Sequence, residues 1–292
     1  MKARRVEEKV MVITPSRLHF GILEPSKKRG FCGGAGVALE KPRFVIEADA
    51  KGKVDCRERI PSHVGLGSTT QKNLALSSAY RKLGLARKEK KAWDERISRI
   101  GAFAFEKGGF IADFGNRIER RNFPSSWAFV LAMPKNLAGV SGEGERGRFA
   151  RLVPNKRITH MMRETLGNDM LGALSEKDIR MFGNALTKYN HLAGMLFLPA
   201  GQSANERKES PTQLLIGEML ELGAEGAGQS SWGPLTFSLV LRKDAMRVAA
   251  RIKKFCKERK MNADVFVASA RNKGATVSVM RGRTSPSRAR RA

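Results

Sequence analysis

The chain has 292 residues, 41% of them hydrophobic, which is enough for one large or two modest domains with a real core. No apolar run reaches the roughly 18 residues of a membrane-spanning helix, and the start, MKARRVEEKV, carries acidic residues where a signal peptide has its apolar stretch, so a cytoplasmic protein without membrane partners is expected. Lys and Arg number 55 against 28 Asp and Glu, a net +27, and such a field favours anionic ligands and can hold nucleic acid without sequence preference.

In chain order, Val10 to Ile13 reads as a short β-branched run, followed by TPSRLHFGILE; Gly33, Gly34 and Gly36 precede VALE, and PRFVIEA follows with strand-like alternation. Cys32, Cys56 and Cys256 are odd in number, far apart and without zinc spacing, so they read as free thiols. Asp55 to Ile60 leads into IPSHVGLGSTTQ at Ile60 to Gln71, where a strand enters a glycine-rich turn and a helix runs from Lys72 to Leu85. Gly65 and Gly67 permit positive φ and close approach of backbone to a ligand. Ser68, Thr69 and Thr70 offer N-cap hydroxyls and free N–H groups at a positive helix end, a natural seat for phosphate. The stretch is neither a Walker A loop, since no Lys follows the second Gly, nor a G-x-G-x-x-G fingerprint.

Glu89 to Ile100 reads as helix, GAFAFEKGGFIADFG as strand, Gly-Gly turn and strand, and WAFVLAMP as a strand ending at Pro134. Asn136 to Arg148 reads as a glycine-rich loop of the active-site kind. Two helices are expected over Arg157 to Leu174 and Ser175 to Leu198, and a third over Pro211 to Leu222. GAEGAGQSSWGP follows as a loop, then a strand (Leu235 to Leu241), a helix (Ala245 to Lys260) and a strand (Ala263 to Ala268), and ARNKGATVSV closes the ordered part. The second half suggests a split βαβ, ferredoxin-like arrangement. Residues 1–150 are expected to form one domain, 151–280 a second, and 281–292 a disordered basic tail.

The Pro-x-x-x-Gly-Leu-Gly-Ser stretch resembles the phosphate loop of the GHMP kinase superfamily. With TPSRLHFGILE, GGAGVALEKP, FEKGGFIADFG, GAGQSSWGP and the weaker ARNKGA, the chain looks like the beta-ribofuranosylaminobenzene 5'-phosphate synthase family (beta-RFAP synthase) of that superfamily. The resemblance implies an α+β, GHMP-kinase-like two-domain fold, with a mixed α+β N-terminal domain and a ferredoxin-like C-terminal domain. It also implies an enzyme of methanopterin biosynthesis, a decarboxylating phosphoribosyl (glycosyl) transferase. Its substrates would be phosphoribosyl pyrophosphate and 4-hydroxybenzoate or 4-aminobenzoate, with loss of CO2 and pyrophosphate.

On that resemblance Gly65, Gly67, Ser68 and Thr69 hold phosphate, with Gln71 reaching the same oxygens. Arg17 and His19 clamp an anion or poise the phenol proton, and His63 stands beside the loop. Glu106 and Asp113, with Ser68, are the expected Mg²⁺ contacts, since hard cations prefer oxygen ligands. Glu106, Asp113 and His19 are the expected catalytic residues. Gly228, Gln229, Ser230 and Ser231 form a second loop over the substrate, with Trp232 either an aromatic wall or core, and Asp113 has a second reading as a cap of the Gly109 hairpin. The chain departs from the family pattern at Arg96 to Gly101, where a Gly/Ser turn is expected, at Asp113 to Asn116, and in the short link from Glu47 to Arg59. Arg96 and Arg99 could supply anion contacts in a new way. The alternatives are an ATP-dependent GHMP small-molecule kinase and a non-catalytic relative that binds nucleic acid; a homodimer is a further expectation.

Overall fold

The computed structural model describes residues 8–26, 30–85, 99–135, 154–198, 210–231 and 233–281. The chain enters through β1 (Glu8–Ile13), β2 (Ser16–Ser26), β3 (Gly30–Leu39), β4 (Val45–Asp49) and β5 (Val54–Glu58), then α1 (Ser68–Lys82) and α2 (Arg99–Lys107). Strands β6 (Phe110–Asp113), β7 (Ile118–Arg121) and β8 (Trp127–Pro134) follow. Helices α3 (Lys156–Glu164), α4 (Leu171–Glu176), α5 (Ile179–Phe197) and α6 (Pro211–Glu221) precede β9 (Gly226–Gln229), β10 (Thr236–Leu241), α7 (Ala245–Glu258), β11 (Ala263–Ala268) and β12 (Thr276–Arg281).

Among the described residues the strands form three antiparallel sheets, ordered β12-β1-β4-β5, β2-β3-β6-β7 and β11-β8-β10-β9. Counted from β8, the third has the order 4-1-3-2 of the expected ferredoxin-like unit, with α6 and α7 packed on it. Its period-2 pattern faces two cores. Ala128, Val130 and Ala132 of β8 meet Leu215, Met219, Val248 and Ile252 of α6 and α7. Trp127, Phe129 and Leu131 point the other way, into a core shared with Phe20, Phe110, Phe182 and Tyr189. Aromatic rings fill that core edge to face and offset, with Phe20 and Phe237 5.3 Å apart and Phe123 and Trp127 5.3 Å apart.

Strand pairing does not follow a division at residue 150. β8, from the first half, lies between β11 and β10 of the second, and β12, from the end of the chain, pairs with β1 along Glu8–Ile13. Single strands bury their faces wherever an open sheet edge accepts them, which composition along the chain cannot announce. The expected loop at 136–148, the boundary near Arg151 and the basic tail beyond Arg281 lie outside the described residues.

Three local readings differ. GAFAFEKGG, expected as strand and turn, opens as helix α2: Ile100 and Ala104, four apart, pack with Ala38 and Ile111. Short Ala/Phe runs fit either period, and this burial favours 3.6. GAGQ, expected as loop, is the buried strand β9, paired with β10. The break between the two long helices comes at Lys177–Asp178, not Ser175. A π-helical segment, Thr165–Met170, carries α3 into α4; Lys177 then takes φ 58°, and the Asp178 side chain accepts from the Met181 N–H at 2.9 Å to cap α5.

Candidate active site

Two glycine loops meet on the first half of β2. The Arg17 N–H donates to the Leu66 carbonyl at 3.1 Å, and the Ser231 N–H donates to the His19 carbonyl at 3.1 Å. The Ser230 hydroxyl joins the three segments, donating to the Gly65 carbonyl at 2.8 Å and accepting from the His19 N–H at 3.0 Å. The loops also interlock without side chains. A Cβ on Gly65 would collide with the Ser230 carbonyl oxygen, and one on Gly233 with that of Val64. Gly65 and Gly67 hold φ of 98° and 73°.

Helix α1 starts from Gly67, not from a hydroxyl cap: no side chain caps it, and Ser68, Thr69 and Thr70 occupy its first turn. The left-handed Gly67 turns the chain so that Ser68 is buried and Thr69 exposed, which leaves first-turn N–H groups with no intrahelical acceptor. Arg17 lies beneath this turn. Its Nη1 donates to the Gly65 carbonyl at 3.3 Å, and its Cγ stands 3.0 Å from where a Gly67 Cβ would be.

His19 is 3% exposed, and its Cε1 stands 3.4 Å from where a Gly34 Cβ would be. Burial, and then the nearby Arg17 charge, hold its pKa well below the ordinary imidazole value, so the ring is neutral at pH 7. Its Nδ1 is buried with no hydrogen-bond partner among the described residues.

The other expected residues divide. His63 takes φ 59° and is exposed on the loop's outer side. Gln71 does not face the phosphate seat: its amide donates to the Gly101 carbonyl at 2.8 Å and ties α1 to α2. Gly228 is a packing position, since a Cβ there would strike Asn190 and Phe237. Gln229 donates its side-chain amide to the Gly233 carbonyl at 2.8 Å and so shapes the second loop. Trp232 lies outside the described residues, as does Arg96.

Glu106 and Asp113 do not form one metal site. Glu106 is exposed in the last turn of α2, whereas Asp113 ends β6, about 10 Å of strand beyond Phe110. Asp113 is 2% exposed; its Oδ1 accepts from the Gly115 N–H at 2.8 Å and lies 3.3 Å from Arg99 Nη1. Burial raises its pKa above the usual carboxylate value, and the Gly115 N–H, Arg99 and Arg163 oppose the rise. Among the described residues no three His, Cys, Asp or Glu side chains gather to hold a metal ion. The glycines of FEKGG serve backbone packing instead: a Cβ on Gly108 would meet the Arg271 and Lys273 carbonyls, and one on Gly109 the Arg121 carbonyl.

Sequence reasoning missed Asn190. From α5 its amide donates to the Phe20 and Gln229 carbonyls at 2.7 and 2.9 Å, and its Oδ1 accepts from the Gln229 N–H at 2.9 Å. It fixes the second loop to β2, yet in sequence it is only one of several polar residues of the helix, with Asn184, Thr187, Lys188 and His191.

No protein-family model matches the chain. It is 26% identical to the beta-ribofuranosylphenol 5'-phosphate synthase of Methanothermobacter thermautotrophicus, over 91% of this chain and 98% of that one. It is 28% identical to the enzyme of that name from Archaeoglobus fulgidus, with the same shares covered. In fold it is similar to mevalonate pyrophosphate decarboxylase from Streptococcus pyogenes (TM-score 0.64, 13% identity, 92% of this chain and 99% of that one). Homoserine kinase from Cytophaga hutchinsonii gives a TM-score of 0.63 at 16% identity, over 95% and 99%. By sequence along nearly its whole length the chain is similar to the beta-ribofuranosylphenol 5'-phosphate synthases, and it shares its α+β fold with the decarboxylase and the kinase.

Proposed function

We propose that the chain joins phosphoribosyl pyrophosphate to 4-hydroxybenzoate, releasing pyrophosphate and CO2. The reading rests on the Ser230 junction of the two glycine loops, in a chain whose near-full-length relatives are named for a ribofuranosylphenol phosphate product. The C1–O bond to the diphosphate breaks and its electron pair leaves with the diphosphate. The ring carbon that bears the carboxylate supplies a pair to C1. The C–CO2 bond then breaks, and its pair restores aromaticity, so no strong base is needed at that carbon.

In this proposal the first-turn N–H groups of α1 and the Arg17 guanidinium receive the charge that grows on the diphosphate. The neutral His19 accepts a hydrogen bond from the phenol and keeps electron density in the ring. The two loops hold donor and acceptor face to face, which is a matter of positioning. Magnesium would come as the diphosphate's counter-ion and help to neutralise its leaving charge, and Glu106 and Asp113, on different elements, would not hold it together.

The test is release of labelled CO2 from carboxyl-labelled 4-hydroxybenzoate on addition of phosphoribosyl pyrophosphate. Arg17→Gln is expected to cut turnover about 100-fold or more while the fold is retained. No CO2 release by the wild-type chain, with ATP consumed instead on a sugar or amino alcohol, would replace this reading by a kinase.

A further inference from the structure

A groove of about 840 Å³ lies between the end of β5 and the α7–β11 corner of the third sheet, within the usual size of a small-ligand site. Pro61, Met133 and Phe266 supply apolar lining. Of its cations, Arg59, Lys253 and Lys257 make no ion pair or hydrogen bond among the described residues. The acids in the groove are already engaged: Glu58 by Arg43 at 2.9 Å and Asp264 by Lys135 at 2.9 Å. Lys41, on the same wall, adds its field to Glu58. Three unneutralised cations facing one concavity call for an anion of more than one charge.

The position of the groove narrows the choice. Arg59 and Pro61 line it, and Pro61 is four residues before Gly65, so the groove wall and the phosphate loop are at most about 14 Å apart along the chain. A phosphoribosyl diphosphate is anionic at both ends of one sugar. Its diphosphate develops charge in the reaction and gains most from fixed donors in a buried setting, which the loop and Arg17 provide. Its 5'-phosphate does not react, and mobile, hydrated lysines in an open groove suffice for it. A benzoate carries a single charge and would leave most of these cations unmatched.

On the reading of function given above, we propose that this groove seats the 5'-phosphate of the donor while the glycine loop holds its diphosphate. The test titrates ribose 5-phosphate and inorganic pyrophosphate separately into the wild-type chain, Lys253→Ala/Lys257→Ala and Arg59→Gln, with thermal melts to confirm folding. Two lost phosphate contacts predict ribose 5-phosphate bound about tenfold more weakly by the double variant, and pyrophosphate bound as before. Arg59→Gln, on the opposite wall, is expected to act in the same direction.

Unchanged ribose 5-phosphate affinity in both variants, with pyrophosphate still bound, overturns the groove assignment and leaves the synthase reading intact. Weakening of pyrophosphate alone overturns it too. So does loss of single-stranded RNA binding in the double variant with ribose 5-phosphate unaffected, which would give the groove to nucleic acid. Failure of the synthase reading shows separately, as absence of CO2 release by the wild-type chain.

Discussion

Burial keeps the His19 ring uncharged, and this links the site to pH. An imidazole whose folded pKa is depressed contributes stability above its unfolded value of about 6.5 and loses it as pH falls, because only the unfolded chain then takes up the proton. The wild-type chain is expected to lose stability below pH 6.5, with His19 contributing up to about 1.4 kcal/mol per pH unit. His19→Gln should flatten that part of the slope in urea denaturation between pH 7 and 5; superimposable slopes would show that the ring is not held neutral. Asn190 is the second residue to test. Asn190→Ala strands the Gln229 N–H and two carbonyls, with an expected cost of at least about 2 kcal/mol in urea denaturation. A loss under 0.5 kcal/mol, roughly that of an ordinary surface change, would mean that water replaces the amide.

At the scale of elements, the glycines separate backbone strain from collision. Gly84 has φ +69° with no atom of the described residues near its missing Cβ, so Gly84→Ala should cost about 1 kcal/mol from backbone strain alone. Gly65→Ala adds a clash with the Ser230 carbonyl and should pull the loops apart, with a larger loss of stability and turnover reduced at least about tenfold. Equal effects at the two positions in paired melting and CO2-release measurements would count against the interlocked loops. Much of this layer was legible beforehand. β8 and β11 have the expected bounds, and α7 starts where its apolar spacing begins, because alternation and 3.6-periodicity are local properties. Helix α2 was not legible, since its Ala/Phe run suits either period until Ala38 and Ile111 supply a surface to pack against.

At the scale of the molecule, β12 completes the first sheet from the far end of the chain. Ending the chain before Thr276 would bare the edge of β1 and uncover the buried Val10 and Val12; aggregation or loss of the cooperative urea transition is expected. A wild-type urea midpoint for that truncated chain would show the strand to be dispensable. The alignment with the M. thermautotrophicus relative spans 336 positions, more than this chain has, so that relative carries segments absent here. The link after Glu47 is made in this chain by the tight β4–β5 hairpin.

The sequence by itself determined the glycine loop, the neighbouring motifs and the bounds of strands such as β8 and β11, because each depends on residues close together in the chain. Tertiary structure alone decided which motifs meet. His19 and Ser230 are 211 residues apart, and Gly65 and Ser230 165, yet each pair shares one hydrogen bond. It also parted Glu106 from Asp113, seven positions apart, by setting a helix end and most of a buried strand between them. Spacing along the chain constrains local geometry; contact across it depends on sheets closing over a common core.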